Sequence, residues 1–160
     1  MTRTCLIAEA DPFIARLLQR FAEESDLLSV RVTTGQEIMP LVQRLSPDVL
    51  VVEPELPGEI RGWEAVRTMR SSGALGSMAV ISCSWLDKAE SCRLIGDVAW
   101  HLQKPDLCHG DFTTALAAAG VAARGPDGAN MTRTRTTMLR KPATRSRGKG
   151  GREKKPEPHS

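Results

Sequence analysis

Short apolar runs punctuate the chain, and between them apolar residues recur at helical spacing. The runs are Thr4–Ala8, Leu27–Val32, Pro47–Val52, Met78–Ser84 and Val98–Leu102. Several are apolar at successive positions, the pattern of a strand buried on both faces, while Val98–Leu102 is shorter and more mixed. Helices are predicted between and after them, over Pro12–Glu24, Gln36–Leu45, Gly62–Arg70, Leu86–Ile95 and Asp111–Ala123. Asp11 before Pro12 is a strong start signal, an acid at the N-cap and a proline at the first helical position. Phe13, Ile14, Leu17, Leu18 and Phe21 supply the apolar stripe of that helix, and Trp63, Val66 and Met69 that of the third. Pro40 is expected to interrupt or kink the second.

The order strand–helix, repeated along the chain, predicts an α/β fold with a parallel five-stranded sheet covered by helices on both faces. Such sheets bind ligands at the carboxyl ends of their strands. Glu9, Glu53, Ser84 and Lys104 each stand at or directly after a strand end, so they are expected on one rim. No glycine-rich phosphate loop follows the first strand, where AEADP stands instead, which argues against a flavin carrier or a flavodoxin-like enzyme.

Charge divides the chain. Residues 1–122 hold 11 Lys/Arg against 16 Asp/Glu, a net of −5, whereas residues 123–160 hold 11 against 3, a net of +8. The second segment has no Phe, Trp, Ile or Val, so it cannot bury enough surface to offset its ordering entropy and is expected to be a disordered basic tail. The four cysteines show no C-x-x-C pair and the three histidines complete no zinc pattern; Cys5 and Cys83 lie in apolar runs and read as buried thiols. No apolar run approaches the roughly 20 residues that span a bilayer. The first ten residues already contain an acid, unlike a signal peptide, so a cytoplasmic protein without a membrane partner is expected.

An apolar strand ending in an acid with Asp-Pro beyond it, then PDVLVVEPELPG, then an apolar strand ending in Ser, then one ending in Lys-Pro: this combination resembles the receiver domain of bacterial response regulators over about residues 3–122. The resemblance implies the flavodoxin-like (CheY-like) fold. It also implies a site in which an aspartate after the third strand accepts a phosphoryl group from a histidine kinase. Two acids after the first strand hold Mg²⁺ beside it, and a hydroxyl residue and a lysine bind the phosphoryl oxygens. Carried onto this chain, Lys104 matches the lysine, Ser84 the hydroxyl and Glu9 the first acid, with Asp11 beside it in an acidic pocket. Four positions depart. Ala10 stands for the second acid, Glu53 for the phosphorylated aspartate, and His101 for the aromatic of the fifth strand. Trp85, after Ser84, replaces a residue that is usually small.

Glutamate reaches one C–C bond further than aspartate, ~1.5 Å, so a transfer geometry built for aspartate is lost. Without a carboxylate at position 10, Mg²⁺ affinity is expected to fall, leaving Glu9 and Glu53 as the remaining oxygen ligands, and no other cofactor is expected. The resemblance therefore implies a pseudo-receiver. Such a protein is no enzyme and signals by phosphorylation-independent protein–protein contact through residues 86–122; whether a histidine kinase acts upstream stays open. Structural pairing of Glu53 with Lys104 and helix capping by Asp11 are the plainer roles for those residues. The tail is too polar to form a DNA-binding output domain. The alternative function is nonspecific binding of nucleic acid or another polyanion through that tail, which has no aromatics to stack on bases. The full chain should bind DNA weakly at low salt and release it steeply as salt rises, and a chain ending at Ala122 should not bind in a gel-shift titration; equal binding by the shortened chain would rule out the tail.

Overall fold

A computed structural model describes residues 2–121. The expected boundary at 122/123 and the basic tail lie outside the described residues. The strands are β1 (Arg3–Ala8), β2 (Leu27–Val32), β3 (Val49–Val52), β4 (Ala79–Ser84) and β5 (Trp100–Gln103). They form one parallel sheet in the order β2-β1-β3-β4-β5. The helices are α1 (Pro12–Glu24), α2 (Ile38–Leu45), α3 (Gly62–Ser72), α4 (Lys88–Ile95) and α5 (His109–Ala118).

The period-two geometry of the strands divides the apolar residues between two cores. Cys5, Ile7, Val49, Val51, Ile81, Cys83 and Leu102 face α1 and α5, meeting Ile14, Leu18, Phe21, Phe112 and Leu116. Leu6, Ala8, Leu50, Val52 and Val80 face the other way, onto Ile38 and Val42 of α2, Val66 and Met69 of α3 and Ile95 of α4. All of β3 is buried because both of its faces are covered. This is why VLVV has no polar alternation and why Glu53 marks the sheet's edge so sharply.

Several expected boundaries move. The predicted Gln36–Leu45 helix is divided: a 3-10 turn over Gly35–Glu37 precedes α2, and Pro40 falls in the first α-helical turn, where its missing N–H needs no partner. α4 begins at Lys88, two residues after the expected Leu86, because Asp87 accepts the Glu90 N–H as its cap. β5 begins at Trp100 and extends through Gln103, which pairs with Ser84; Val98 packs on the core ahead of the ladder. β3 begins at Val49, after Pro47 and Asp48. α5 begins earlier than expected, at His109, and ends at Ala118, with Gly120 at positive φ closing it. Phe13 leaves the α1 stripe and is 75% exposed, since the buried face runs through Ile14, Ala15, Leu18, Phe21 and Ala22. Trp63 is half-buried against the second core.

Burial pushes the thiols of Cys5 and Cys83 up to about 12, for Cys83 against the opposing pull of the Lys104 charge. Cys92 is half-buried and Cys108 exposed. The thiolate is the reactive form. In native protein at pH 8 an aromatic disulfide reagent should therefore label Cys108 and, more slowly, Cys92, and reach the other two only after unfolding. Rapid release of four equivalents from native protein would contradict this packing.

Candidate functional site

The backbone ladder carries four side chains to one end of the sheet. Glu9 N–H donates to Val32 O, Glu53 N–H to Ala8 O and Lys104 N–H to Ser84 O, each just past or at the end of its strand. Lys104 starts beside β4 and reaches past its end toward the ends of β3 and β1. Its Nζ lies 2.7 Å from Glu53 Oε2 and 2.6 Å from Glu9 Oε2. Ser84 Oγ donates to Glu53 Oε1 at 3.3 Å. The chain's own N–H groups finish the arrangement, from Asp11 to Glu9 Oε1 at 3.0 Å and from Glu55 to Glu53 Oε1 at 3.1 Å. Glu9, Glu53 and Lys104 are only 3%, 8% and 4% exposed. Glu9 Oε2 has no aligned hydrogen-bond donor, and the short ionic contact with the ammonium is what compensates it.

Of the residues expected here, Glu9, Glu53, Ser84 and Lys104 come together. Asp11 does not join them, and its place in an acidic pocket is corrected. Its exposed carboxylate turns away to cap α1, accepting from Phe13 N–H at 2.8 Å and Ile14 N–H at 3.1 Å. Ala10 contributes only its carbonyl, which takes the Arg31 Nη2–H at 3.1 Å while Arg31 Nε–H reaches Glu9 O at 3.2 Å. His101 lies one layer out. Its Nε2 faces two acceptors, Leu86 O at 3.1 Å and Gln103 Oε1 at 3.2 Å, and its Nδ1 is 2.7 Å from Ser82 Oγ. The network therefore assigns the neutral ring its hydrogen on Nε2, with the buried Ser82 hydroxyl donating to Nδ1. Gln103 Nε2 sits among three carbonyl oxygens, those of Ser84, Trp85 and Lys104. Arg31 and Gln103 are the residues that sequence reasoning missed. The signal was a polar side chain inside or ending a strand, but nothing in the pattern said which loop each would hold.

These contacts also test the site for Mg²⁺. Each carboxylate oxygen on the rim already meets a group of the chain, the alanine at 10 adds no ligand, and Asp11 is committed to its helix. Among the described residues no cluster of three or more His, Cys, Asp or Glu could hold a metal. The residues present do not fit the ion.

Burial pulls the Lys104 ammonium toward deprotonation, but hydrogen bonds and charge from Glu53 and Glu9 outweigh it and hold the group above 10.5. A raised lysine stabilises the fold fully below the unfolded-state value and ceases to do so as pH climbs through the folded-state value. Urea stability should therefore show no loss from this group from neutral pH to about 10 and fall above it. Lys104→Met, which strands two buried carboxylates, should lose about 3–5 kcal/mol at pH 7. Glu53→Gln leaves a neutral Glu9–Lys104 pair and should cost much less. Equal losses in the two variants would refute this charge accounting.

No protein-family model matches the chain, and no curated protein matches it. Solved structures do resemble it. A CheY-like response regulator receiver domain from Methylobacillus flagellatus superposes with a TM-score of 0.61 at 20% identity, covering 74% of this chain and 99% of that one. The receiver domain of the sensor histidine kinase PA1611 from Pseudomonas aeruginosa PAO1, which has magnesium in its active-site cleft, gives 0.65 at 16% identity over 75% and 99%. A sensor protein from Polaromonas sp. JS666 gives 0.65 at 24% identity over 74% and 96%. At these identities the likeness establishes the fold: the described residues have the five-stranded architecture of CheY-like receivers.

Proposed function

We propose that this chain is an atypical response regulator, a pseudo-receiver, that acts in two-component-type signalling by binding a protein partner without being phosphorylated. The observation that carries this reading is the engagement of Glu53. Both of its oxygens are occupied, one by Lys104 and the other by Ser84 and the Glu55 N–H. The lysine and hydroxyl that would receive a phosphoryl group are thus already turned onto a carboxylate one methylene longer than aspartate. Glu53 acts as a fixed, partial stand-in for a phosphorylated aspartate, carrying about one negative charge where phosphate carries nearly two. The partner face is formed by α4, β5 and α5, within residues 86–122. Trp100, 40% exposed on β5, and Trp85, 62% exposed just before α4, offer aromatic surface beside it.

Wild-type protein should take up no phosphate from acetyl phosphate or a histidine kinase, as read by phosphate-affinity gels and intact mass. Glu53→Gln keeps the length and removes the charge. It should weaken the partner complex about tenfold or more, ~1.4 kcal/mol, while the circular dichroism spectrum stays unchanged. Glu53→Asp should phosphorylate poorly, and Glu53→Asp with Ala10→Asp should recover slow phosphorylation. Acyl phosphate on the wild type would overturn the reading.

A further inference from the structure

The ammonium of Lys104 occupies a particular point. Glu9 Oε2 and Glu53 Oε2, from two neighbouring strands, converge on it at 2.6 and 2.7 Å. These are the lengths of ordinary charge-assisted hydrogen bonds; what sets the point apart is that two buried carboxylates share one cation there, the donor type that hard divalent ions also prefer. Each partner's second oxygen is held by a backbone N–H, from Asp11 and from Glu55, so both carboxylates are oriented toward the shared point. Lys104 is 4% exposed, and a divalent ion could enter only by driving this buried ammonium out against the attraction of both acids.

We propose that Lys104 is the resident cation of this rim: it fills the place of a divalent metal, keeps the wild-type pocket metal-free, and its removal turns Glu9 and Glu53 into a divalent-cation site. The inference rests on the rim's geometry and not on the signalling reading, so it stands or falls whether or not a partner or a phosphoryl group ever meets Glu53.

Lys104→Met tests it in the full chain. Thermal unfolding would be followed in EDTA and with millimolar MgCl₂ or CaCl₂. The wild-type Tm should move by less than about 1 °C, and that of Lys104→Met should rise by about 5 °C or more as the metal binds only the folded state. A folded Lys104→Met whose Tm ignores both metals overturns the proposal. A second measurement uses the wild type alone, titrating ¹⁵N-labelled protein with Mn²⁺ and reading the Asp11 and Glu55 amides. These should keep their intensity at metal concentrations that broaden a Mg²⁺-binding receiver domain, and selective broadening overturns the proposal. Should Lys104→Met fail to fold even with metal, the Mn²⁺ result decides alone.

Discussion

A lysine ammonium held between two buried carboxylates organises the rim. Removing three charged groups from water costs several kcal/mol each, and only close mutual contact with further hydrogen bonds offsets that. Here the contacts are 2.6 and 2.7 Å, and the remaining carboxylate oxygens take backbone N–H groups and a hydroxyl. Two acids and one base leave a formal charge of −1, so the N–H dipoles of Asp11 and Glu55 are needed to balance what the lysine does not. The ends of β1, β3 and β5 are thereby joined through side chains, with β4 tied in by Ser84. The rim is preorganised by the chain itself.

The surrounding loops depend on that rim and reinforce it. Arg31 reaches from β2 to the carbonyls of Glu9 and Ala10, fixing the turn that presents Glu9. Gln103 and His101 reach from β5 to the carbonyls of Ser84, Trp85 and Leu86, and Ser84 Oγ accepts the Leu86 N–H at 3.0 Å. The backbone that carries Trp85 is thus tethered at successive peptide groups while its indole stays mostly in solvent. On the far side of the rim, α3 closes on Glu53 so tightly that a Cβ at Gly62 would run into the Glu53 carbonyl oxygen.

Much of this was legible in the chain because the signals were local. A short valine-rich run such as VLVV, bounded by Pro47 and by an acid, reads as a buried strand with Glu53 at its carboxyl end, and Asp11-Pro12 is a strong helix start. Lys104, Glu53, Ser84 and Glu9 followed from their place after strands. What stayed hidden depends on direction rather than position. Both Glu9 and Asp11 follow β1; the Asp-Pro signal gave Asp11 its role as the cap of α1, but nothing in the pattern said that the Glu9 carboxylate would turn inward to meet Lys104. Nor could it show that Lys104 would divide itself between two acids, since that depends on how far a four-carbon stem reaches past the intervening strand. Phe13 misled for a related reason: an apolar residue next to a buried stripe satisfies helical spacing while facing away from the core.

The alanine at position 10 and the lysine bridge are best understood together. A third carboxylate beside Glu9 and Glu53, with only Lys104 to oppose it, would leave two uncompensated negative charges in a buried rim. Such a site needs a divalent cation to be tolerable at all, because like charges at this range repel strongly where water is scarce. Removing the acid at position 10 lowers the demand to a level that one ammonium, two N–H dipoles and a hydroxyl can meet. The longer glutamate at 53 then brings its oxygen onto the lysine without help from a metal or a phosphoryl group. Together Ala10 and Glu53 give a rim whose acids are met by one ammonium, two N–H groups and a hydroxyl of the chain itself.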